Sequence, residues 1–454
     1  MARRFMDFCD SYSPHFVQQG MNSVHHARCY LSGLMGTQRR KNIETIENDV
    51  KDSDYQGMEQ FISSSPWSHE ALMDQLAREA DHLLGDPRDA ALIIDESSFL
   101  KKGKASVGVQ RQWSGRAGKI ENCQVAVFAC LAKADRMCLT DFRLFLPQSW
   151  AADTLRCAKA KIPAEHQRHQ PKWQQALGMV KAAREKGLRF GWVGADSLYG
   201  ATADFINGVE DLGEKFMADV HVTNRIWTAR PMLEEPPAAA AKGRPRKHRK
   251  LSPDNQARYL SVEKWSAEHF ARQSREIIYR HGTKGELRAR LWVGEVWTWE
   301  PQWKSGPRRR QLVVRQDHDG SMKYSLTNLP AGQTWERYGY VQGQRFWVEH
   351  AFHEAKSQLG MAQYQVRVWR GWHHHIALSC LAMLFLLREQ LRTTATMPLL
   401  SHRDLTELLN YYLPRRSATE EEVFRQINQR HRKRQEDIDR RKNAPSRPDS
   451  NLTK

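Results

Sequence analysis

The chain has 454 residues, 40% of them apolar, and its 70 lysine and arginine residues exceed its 52 acidic residues to give a formal charge of +18. At about 150 residues per domain, this length predicts two to four domains. The apolar content provides for a buried core and excludes global disorder. The longest apolar run, 376–387, is shorter than the roughly 20 residues of a membrane span, and the first residues lack the apolar segment of a signal peptide. We therefore expect no membrane partner.

The cysteines and the charge both bear on the setting in which the chain works. Seven cysteines form no CxxC pair, which predicts reduced, mostly buried thiols in a cytoplasmic protein. The positive charge favours a polyanionic partner, most simply nucleic acid, with solubility alone as the alternative. Segment 226–330 has 21 basic and 11 acidic residues, whereas segment 1–85 has 8 basic and 12 acidic ones.

Helical periodicity dominates the first 85 residues. Phe5, Phe8, Tyr12 and Phe16 recur at steps of three or four, as on one buried helix face. Further helices are predicted near 26–34, 42–50 and 69–84. We expect an N-terminal helical domain over 1–85.

Strands and helices mix from residue 86 to residue 225. Strands are predicted at 90–94, 106–113, 124–131, 188–193 and 216–220, and helices at 173–186 and 200–212. This order predicts an α/β domain.

The remaining chain divides into three segments. A proline-rich and basic stretch, 236–250, breaks the α/β pattern, and β-strands are predicted after it at 275–279, 287–299, 311–314 and 322–326. We therefore assign 226–330 to a basic, β-rich insertion. Segment 331–395 is predicted to hold helices at 345–359 and 376–391, and 396–454 is a charged tail with a helix at 420–434.

Three acidic residues are candidate metal ligands. Asp95 and Asp196 each follow an apolar strand, and Glu349 lies in a predicted helix with Arg345 and Lys356 on the same face. Phosphodiester cleavage with two divalent ions needs such carboxylates, and oxygen ligands favour Mg²⁺ or Mn²⁺. An N-cap role for each aspartate and a solvated helix face with an ion pair are the alternatives.

The segments around these acids resemble a known enzyme family. IIDESSFLKKG, VGADSLYG and RFWVEHAFHEAKSQLG resemble the catalytic motifs of DDE transposases of bacterial insertion sequences. The spacing of Arg345, Glu349 and Lys356 is similar to the signature of the insertion-sequence-four superfamily. The segments KKGKASVGVQRQWSG, LPQSWAAD and YRHGTKGELRAR resemble its seven-oh-one branch. The resemblance covers roughly residues 20–395.

This resemblance implies a fold and an activity. The fold is an RNase H-like (retroviral integrase-like) α/β catalytic core, formed by 86–225 and 331–395, with the β-rich insertion between them and an N-terminal helical DNA-binding domain. Asp95, Asp196 and Glu349 would hold two Mg²⁺ ions, with Mn²⁺ as a substitute, and Arg345 and Lys356 would bind phosphates. The enzyme would act as a homodimer, near the bacterial nucleoid, on the double-stranded inverted-repeat ends of its own element and on target DNA.

One residue departs from the family signature. A tyrosine is expected three positions before Arg345, but Gln342 stands there, and Tyr340 is out of register. Phe346 and Trp347 follow the arginine, where an aromatic residue of the family can stack on a flipped base. A hairpin intermediate is therefore left open.

Basic clusters outside the predicted core are further candidate DNA contacts. Arg244, Arg246 and Lys247 resemble a minor-groove AT-hook, with a linker that contacts only phosphates as the alternative. Lys101 and Lys102 follow Asp95 and either hold DNA or form an exposed loop. In the N-terminal segment the basic cluster is Arg39, Arg40 and Lys41.

Two other functions compete with transposition. One is a repurposed RNase H-like nuclease that cleaves DNA without strand transfer. The other is a DNA-binding repressor derived from a transposase, which would have no use for three metal-binding acids.

Overall fold

We analysed a computed structural model, which describes residues 1–442 except 19, 116, 237–247, 283–284, 302, 304 and 418. The N-terminal segment is helical, as predicted, with two short strands. Its elements are α1 (Ala2–Ser11), β1 (Val17–Gln18), β2 (Met21–Asn22), α2 (Val24–Leu34), α3 (Ile43–Asp49), α4 (Tyr55–Ser63) and α5 (His69–Leu84). The predicted aromatic stripe of Phe5, Phe8, Tyr12 and Phe16 is buried.

The central α/β region contains six strands and five helices. The strands are β3 (Ala90–Leu100), β4 (Gln110–Ser114), β5 (Lys119–Lys133), β6 (Arg136–Leu144), β7 (Trp192–Ala195) and β8 (Phe216–Asp219). The helices are α6 (Gln148–Ala151), α7 (Thr154–Lys159), α8 (Lys172–Glu185), α9 (Ser197–Gly200) and α10 (Ala203–Asp211).

These strands form a mixed sheet. The order is β6-β5-β3-β7-β8, in which β5 is antiparallel to β3 and β6, whereas β7 is parallel to β3 and β8. Three antiparallel strands followed by two parallel ones, with helices in the connections, make an RNase H-like α/β core. This fold agrees with the expectation from the sequence.

The main difference from the sequence prediction is the length of β3. The strand does not end at Ile94, because it pairs with β5 along its whole length, from Ala90 opposite Lys133 to Leu100 opposite Cys123. Its parallel pairing with β7 stops at Ile94 opposite Ala195. Asp95 therefore lies inside a strand, but directly after the end of the parallel pairing.

The segment after β8 extends the same sheet. Its elements are β9 (Arg225–Trp227), β10 (Leu233–Glu234), β11 (Lys250–Leu251), β12 (Tyr259–Ser261), α11 (Val262–Gln273), β13 (Arg275–Gly282), β14 (Gly285–Thr298), β15 (Arg308–Gln316) and β16 (Met322–Thr327). Strand β16 pairs with β8, so the insertion strands continue the sheet of the core. Buried Arg310 of β15 also binds Glu210 of α10 at 2.7 Å.

The last five helices are α12 (Trp335–Gly343), α13 (Phe346–Ser357), α14 (Trp369–Thr393), α15 (His402–Tyr412) and α16 (Glu420–Lys442). Almost every side chain of α14 from Trp369 to Leu387 is buried. Helices α2, α4 and α5 pack against α14, and α5 also packs against β6. The N-terminal helices and the RNase H-like region therefore share one apolar core.

Two simple expectations can be compared with the structure. All seven cysteines are buried and free, as predicted. Within the described ranges, no helix combines the length and the apolar character that crossing a membrane requires.

Candidate active site

The sheet brings Asp95 and Asp196 side by side. Each aspartate directly follows the last pair of the parallel strands, Ile94 opposite Ala195. Asp95 is 8% exposed, and its Oδ1 accepts a hydrogen bond from the Glu96 amide at 2.6 Å. Asp196 caps α9, where its Oδ1 accepts the amide of Leu198 at 3.0 Å. The N-cap alternative for Asp196 is thus realised, and it fixes the carboxylate beside Asp95.

Arg345 connects the third acid to this pair. The guanidinium lies 2.6 Å from Glu349 Oε1, one helical turn later, and 3.5 Å from Asp95 Oδ2. Helix α13 packs against β3 and β5, which brings Glu349 to the aspartates. The structure therefore gathers Asp95, Asp196 and Glu349 around one arginine.

A fourth acid, Asp219, completes the surroundings of Arg345 and was missed by the sequence analysis. Its Oδ2 lies 2.7 Å from Arg345 Nε, and its Oδ1 accepts the Ser325 hydroxyl at 2.6 Å. Asp219 is the last residue of β8, a strand that the sequence predicts. The strand predicted at 216–220 runs past Asp219, so a search for acids that follow a strand did not select it.

The departure at Gln342 has a structural role. Buried Gln342 donates from Nε2 to the Ser325 hydroxyl at 2.8 Å, and that hydroxyl donates to Asp219. Gln342 thus supports the carboxylate that holds Arg345. Tyr340 instead donates its hydroxyl to the carbonyl of Asp89, which precedes the other end of β3.

The electrostatics of the site reflect crowded negative charge. Burial and the charge of Asp196 raise the pKa of Asp95, against the opposing effect of Arg345. Burial also raises the pKa of Asp196. The surrounding carboxylates raise the pKa of Arg345 and keep it charged. Among the described residues, the guanidinium of Arg345 is placed to balance the charges of four acids, which are Asp95, Asp196, Asp219 and Glu349.

These residues fit a divalent cation. The donor set of Asp95, Asp196 and Glu349 consists only of carboxylate oxygens, which Mg²⁺ and Mn²⁺ prefer. Additional positive charge would relieve the repulsion that raises the aspartate pKa values. The three acids are therefore candidate ligands of a divalent cation.

The predicted phosphate-binding lysines have different positions. Lys356 lies on α13 and donates to the carbonyl of Ser98 at 3.0 Å, on the strand that carries Asp95. Lys102 is exposed. Lys101 turns inward, with its Nζ 3.3 Å from the centre of the Tyr364 ring, and burial lowers its pKa to about 7. The sequence left two alternatives for Lys101 and Lys102, contact with DNA or an exposed loop. The inward position of Lys101 does not fit an exposed loop.

The residues of the N-terminal basic cluster also differ in their exposure to solvent. Arg39 and Arg40 are exposed, but Lys41 is 4% exposed and donates from Nζ to the carbonyls of Leu34 and Gln358. Burial lowers the pKa of Lys41 to about 7. The predicted DNA contact of Lys41 is therefore wrong, because its ammonium is enclosed by the protein.

The last predicted DNA contacts cannot be placed. Arg244, Arg246 and Lys247 lie outside the described residues. Another basic cluster of the insertion, 308–310, forms ion pairs within the protein. Arg308 and Arg310 bind Glu210, and Arg309 binds Glu295. These three arginines contribute to the net charge of the insertion without forming an unpaired basic surface.

Comparisons with known proteins identify the family of this chain. Residues 17–286, more than half of the chain, match the model of a family described as a DDE superfamily endonuclease. A probable transposase for insertion sequence element IS701 from Microchaete diplosiphon is 25% identical over 341 residues, 74% of each chain. A cryo-EM structure of a piggyBac transposase synaptic complex with hairpin DNA is similar at a TM-score of 0.39 and 8% identity, over 89% of this chain and 75% of that one. The family match confirms the resemblance found in the sequence, and this chain belongs to the DDE superfamily of endonucleases.

Proposed function

We propose that this enzyme is a cut-and-paste transposase that binds the inverted-repeat ends of its own insertion sequence, cleaves them and joins them to target DNA. The observation that carries the proposal is the convergence of Asp95, Asp196 and Glu349 around Arg345. A DNA-binding repressor has no need for this costly cluster of acids. The similarity to an IS701 transposase over 74% of the chain supports the choice of substrate.

In this proposal the three acids hold two Mg²⁺ ions. Such ions, when bound, would supply the Lewis acidity that activates water and then a DNA 3′-hydroxyl for attack and that stabilises the leaving oxygen. Asp95 and Asp196 are held rigidly by β3 and the cap of α9, so their carboxylates are preorganised for this task. Arg345 neutralises negative charge beside them.

We assign the basic residues predicted from the sequence to different parts of the DNA. Lys356 and Lys102 lie near β3, and we assign them to phosphates close to the cleaved bond. Arg39 and Arg40 are assigned to the element end, and Arg244, Arg246 and Lys247 to the backbone or minor groove of A·T-rich DNA. Two copies of the chain are expected to hold two element ends together.

The test uses duplex DNA from the borders of the element that encodes this chain. Asp95→Asn, Asp196→Asn and Glu349→Gln should abolish Mg²⁺-dependent cleavage while DNA binding stays measurable. Asp317→Asn is the matched control, because it removes a carboxylate that is paired with Arg315 and does not belong to the triad. Cleavage by any one triad variant would refute the role of that residue. Cleavage without joined products in the wild type would favour the repurposed nuclease.

A further inference from the structure

Helix α13 carries a second cluster of possible metal ligands, which begins at the residue after Glu349. His350, His353 and Glu354 each offer one ligand atom, and these atoms lie within 4.8 Å of one another. The Oε1 of Glu354 is 3.8 Å from His350 Nε2 and 3.7 Å from His353 Nδ1. Residues three and four positions apart share a helix face, so the spacing itself brings these side chains together.

A fourth ligand reaches the cluster from α15. His402 Nδ1 lies 3.4 Å from Glu354 Oε2, and the side chain is 3% exposed. Within the described part of the chain, this buried nitrogen has no hydrogen-bond partner of normal geometry. A buried imidazole with an unsatisfied nitrogen is costly unless a ligand completes its bonding. The unsatisfied nitrogen of His402 thus points to an ion bound at the cluster of His350, His353 and Glu354.

Each of the three histidines lies near Glu354 at about the spacing of neighbouring ligands in a tetrahedral metal site. Zinc bonds of about 2.0–2.2 Å to nitrogen and oxygen place neighbouring ligand atoms roughly 3.4 Å apart. The three measured separations from the Glu354 oxygens are 3.4, 3.7 and 3.8 Å.

We propose that His350, His353, Glu354 and His402 form a zinc site. Three imidazoles and one carboxylate suit Zn²⁺, whereas the all-oxygen triad suits Mg²⁺, so the two sites select different metals. The ion would join α13, which carries Glu349, to the first residue of α15. The cluster also borders a cavity of about 810 Å³ lined in part by Tyr279, Trp347 and Leu399. A cross-link at this edge would hold α13 in place without taking part in the chemistry.

The first test measures zinc on the purified full chain after chelation and dialysis. Calorimetric titration with Zn²⁺, in buffer without Mg²⁺, should give one ion per chain, and Co²⁺ should give the visible absorption of a tetrahedral site. Zinc at 100 times its Kd should raise the Tm by several degrees. His353→Asn is the main variant, since this side chain is 69% exposed and its replacement leaves the fold intact. It should weaken zinc binding by at least about tenfold.

Control variants separate this site from others. His318→Asn replaces an exposed histidine in the turn after β15 and should bind zinc like the wild type. Glu349→Gln should also retain zinc, because that residue belongs to the Mg²⁺ triad, whereas His402→Asn should lose it. Absence of zinc binding at micromolar concentration, full binding by His353→Asn, or loss of binding in Glu349→Gln would each overturn the proposal. None of these readouts depends on transposase activity.

Discussion

The ion pair between Asp219 and Arg345 leads to a specific prediction for Asp219→Asn. This substitution keeps the size of the side chain and can preserve the Ser325 contact, but it removes the charge 2.7 Å from Arg345 Nε. Both side chains are largely buried, at 21% and 22% exposure. A hydrogen bond to a charged group in such a place contributes about 1.5–3 kcal/mol.

The loss of the interaction between Asp219 and Arg345 should weaken the activation of DNA cleavage by Mg²⁺. Without Asp219, Arg345 is left to pair with Glu349 and Asp95, and its positive charge then competes with the metal for these carboxylates. Because 1.4 kcal/mol corresponds to a factor of ten, we expect the Mg²⁺ concentration for half-maximal cleavage to rise about ten- to hundredfold.

The assay is end cleavage at a series of Mg²⁺ concentrations, with urea unfolding measured in parallel. Asp317→Asn breaks a comparable pair with Arg315 and should lose a similar amount of stability without a change in Mg²⁺ dependence. An unchanged Mg²⁺ requirement in Asp219→Asn would refute the reasoning. So would an equal shift in the control.

Three further predictions concern stability and can be measured by urea unfolding. Gly200→Ala should destabilise the protein by about 1–3 kcal/mol, because a Cβ there would collide with the backbone of β8; unchanged stability would contradict this packing. Arg310→Met should cost about 1.5–3 kcal/mol, because it removes the hydrogen bonds of a buried guanidinium to Glu210, which keeps only Arg308 as a partner, and a neutral result would show that the Arg310–Glu210 pair does not tie the insertion to the core. Burial lowers the pKa of His375 to about 3 from 6.5, and its ring nitrogens contact the Tyr30 hydroxyl and a backbone carbonyl. The unfolded chain therefore takes up a proton first, so stability should fall as pH drops from about 6.5 towards 3. His375→Gln should show a shallower fall, and a slope equal to that of the wild type would exclude this histidine as the cause.

The positions of the acids could be predicted in part from the sequence. The rule that functional groups follow parallel strands located Asp95 and Asp196, although β3 continues past Asp95. That continuation depends on pairing with β5 along all of β3, which the local sequence of 90–94 does not reveal. The same rule did not locate Asp219, because the strand predicted at 216–220 runs past this residue whereas β8 ends at it.

The environments of the basic residues could not be predicted. Arg39, Arg40 and Lys41 are adjacent and alike in charge, yet only Lys41 is buried, because its side chain packs against Gly360 and reaches the end of α13. Similarly, His402 follows Glu354 by 48 residues, so only the packing of α15 against α14 brings it to the histidines of α13. Long-range packing, not local pattern, decides both cases.

The central claim is that this chain cuts and joins DNA with Asp95, Asp196 and Glu349. The most direct measurement is a two-plasmid assay in which the borders of the element flank a marker and the insertion junctions are sequenced. We predict joined junctions at the element ends with the wild type and with Asp317→Asn, and none with Glu349→Gln. Junctions produced by Glu349→Gln at the wild-type frequency would contradict the account.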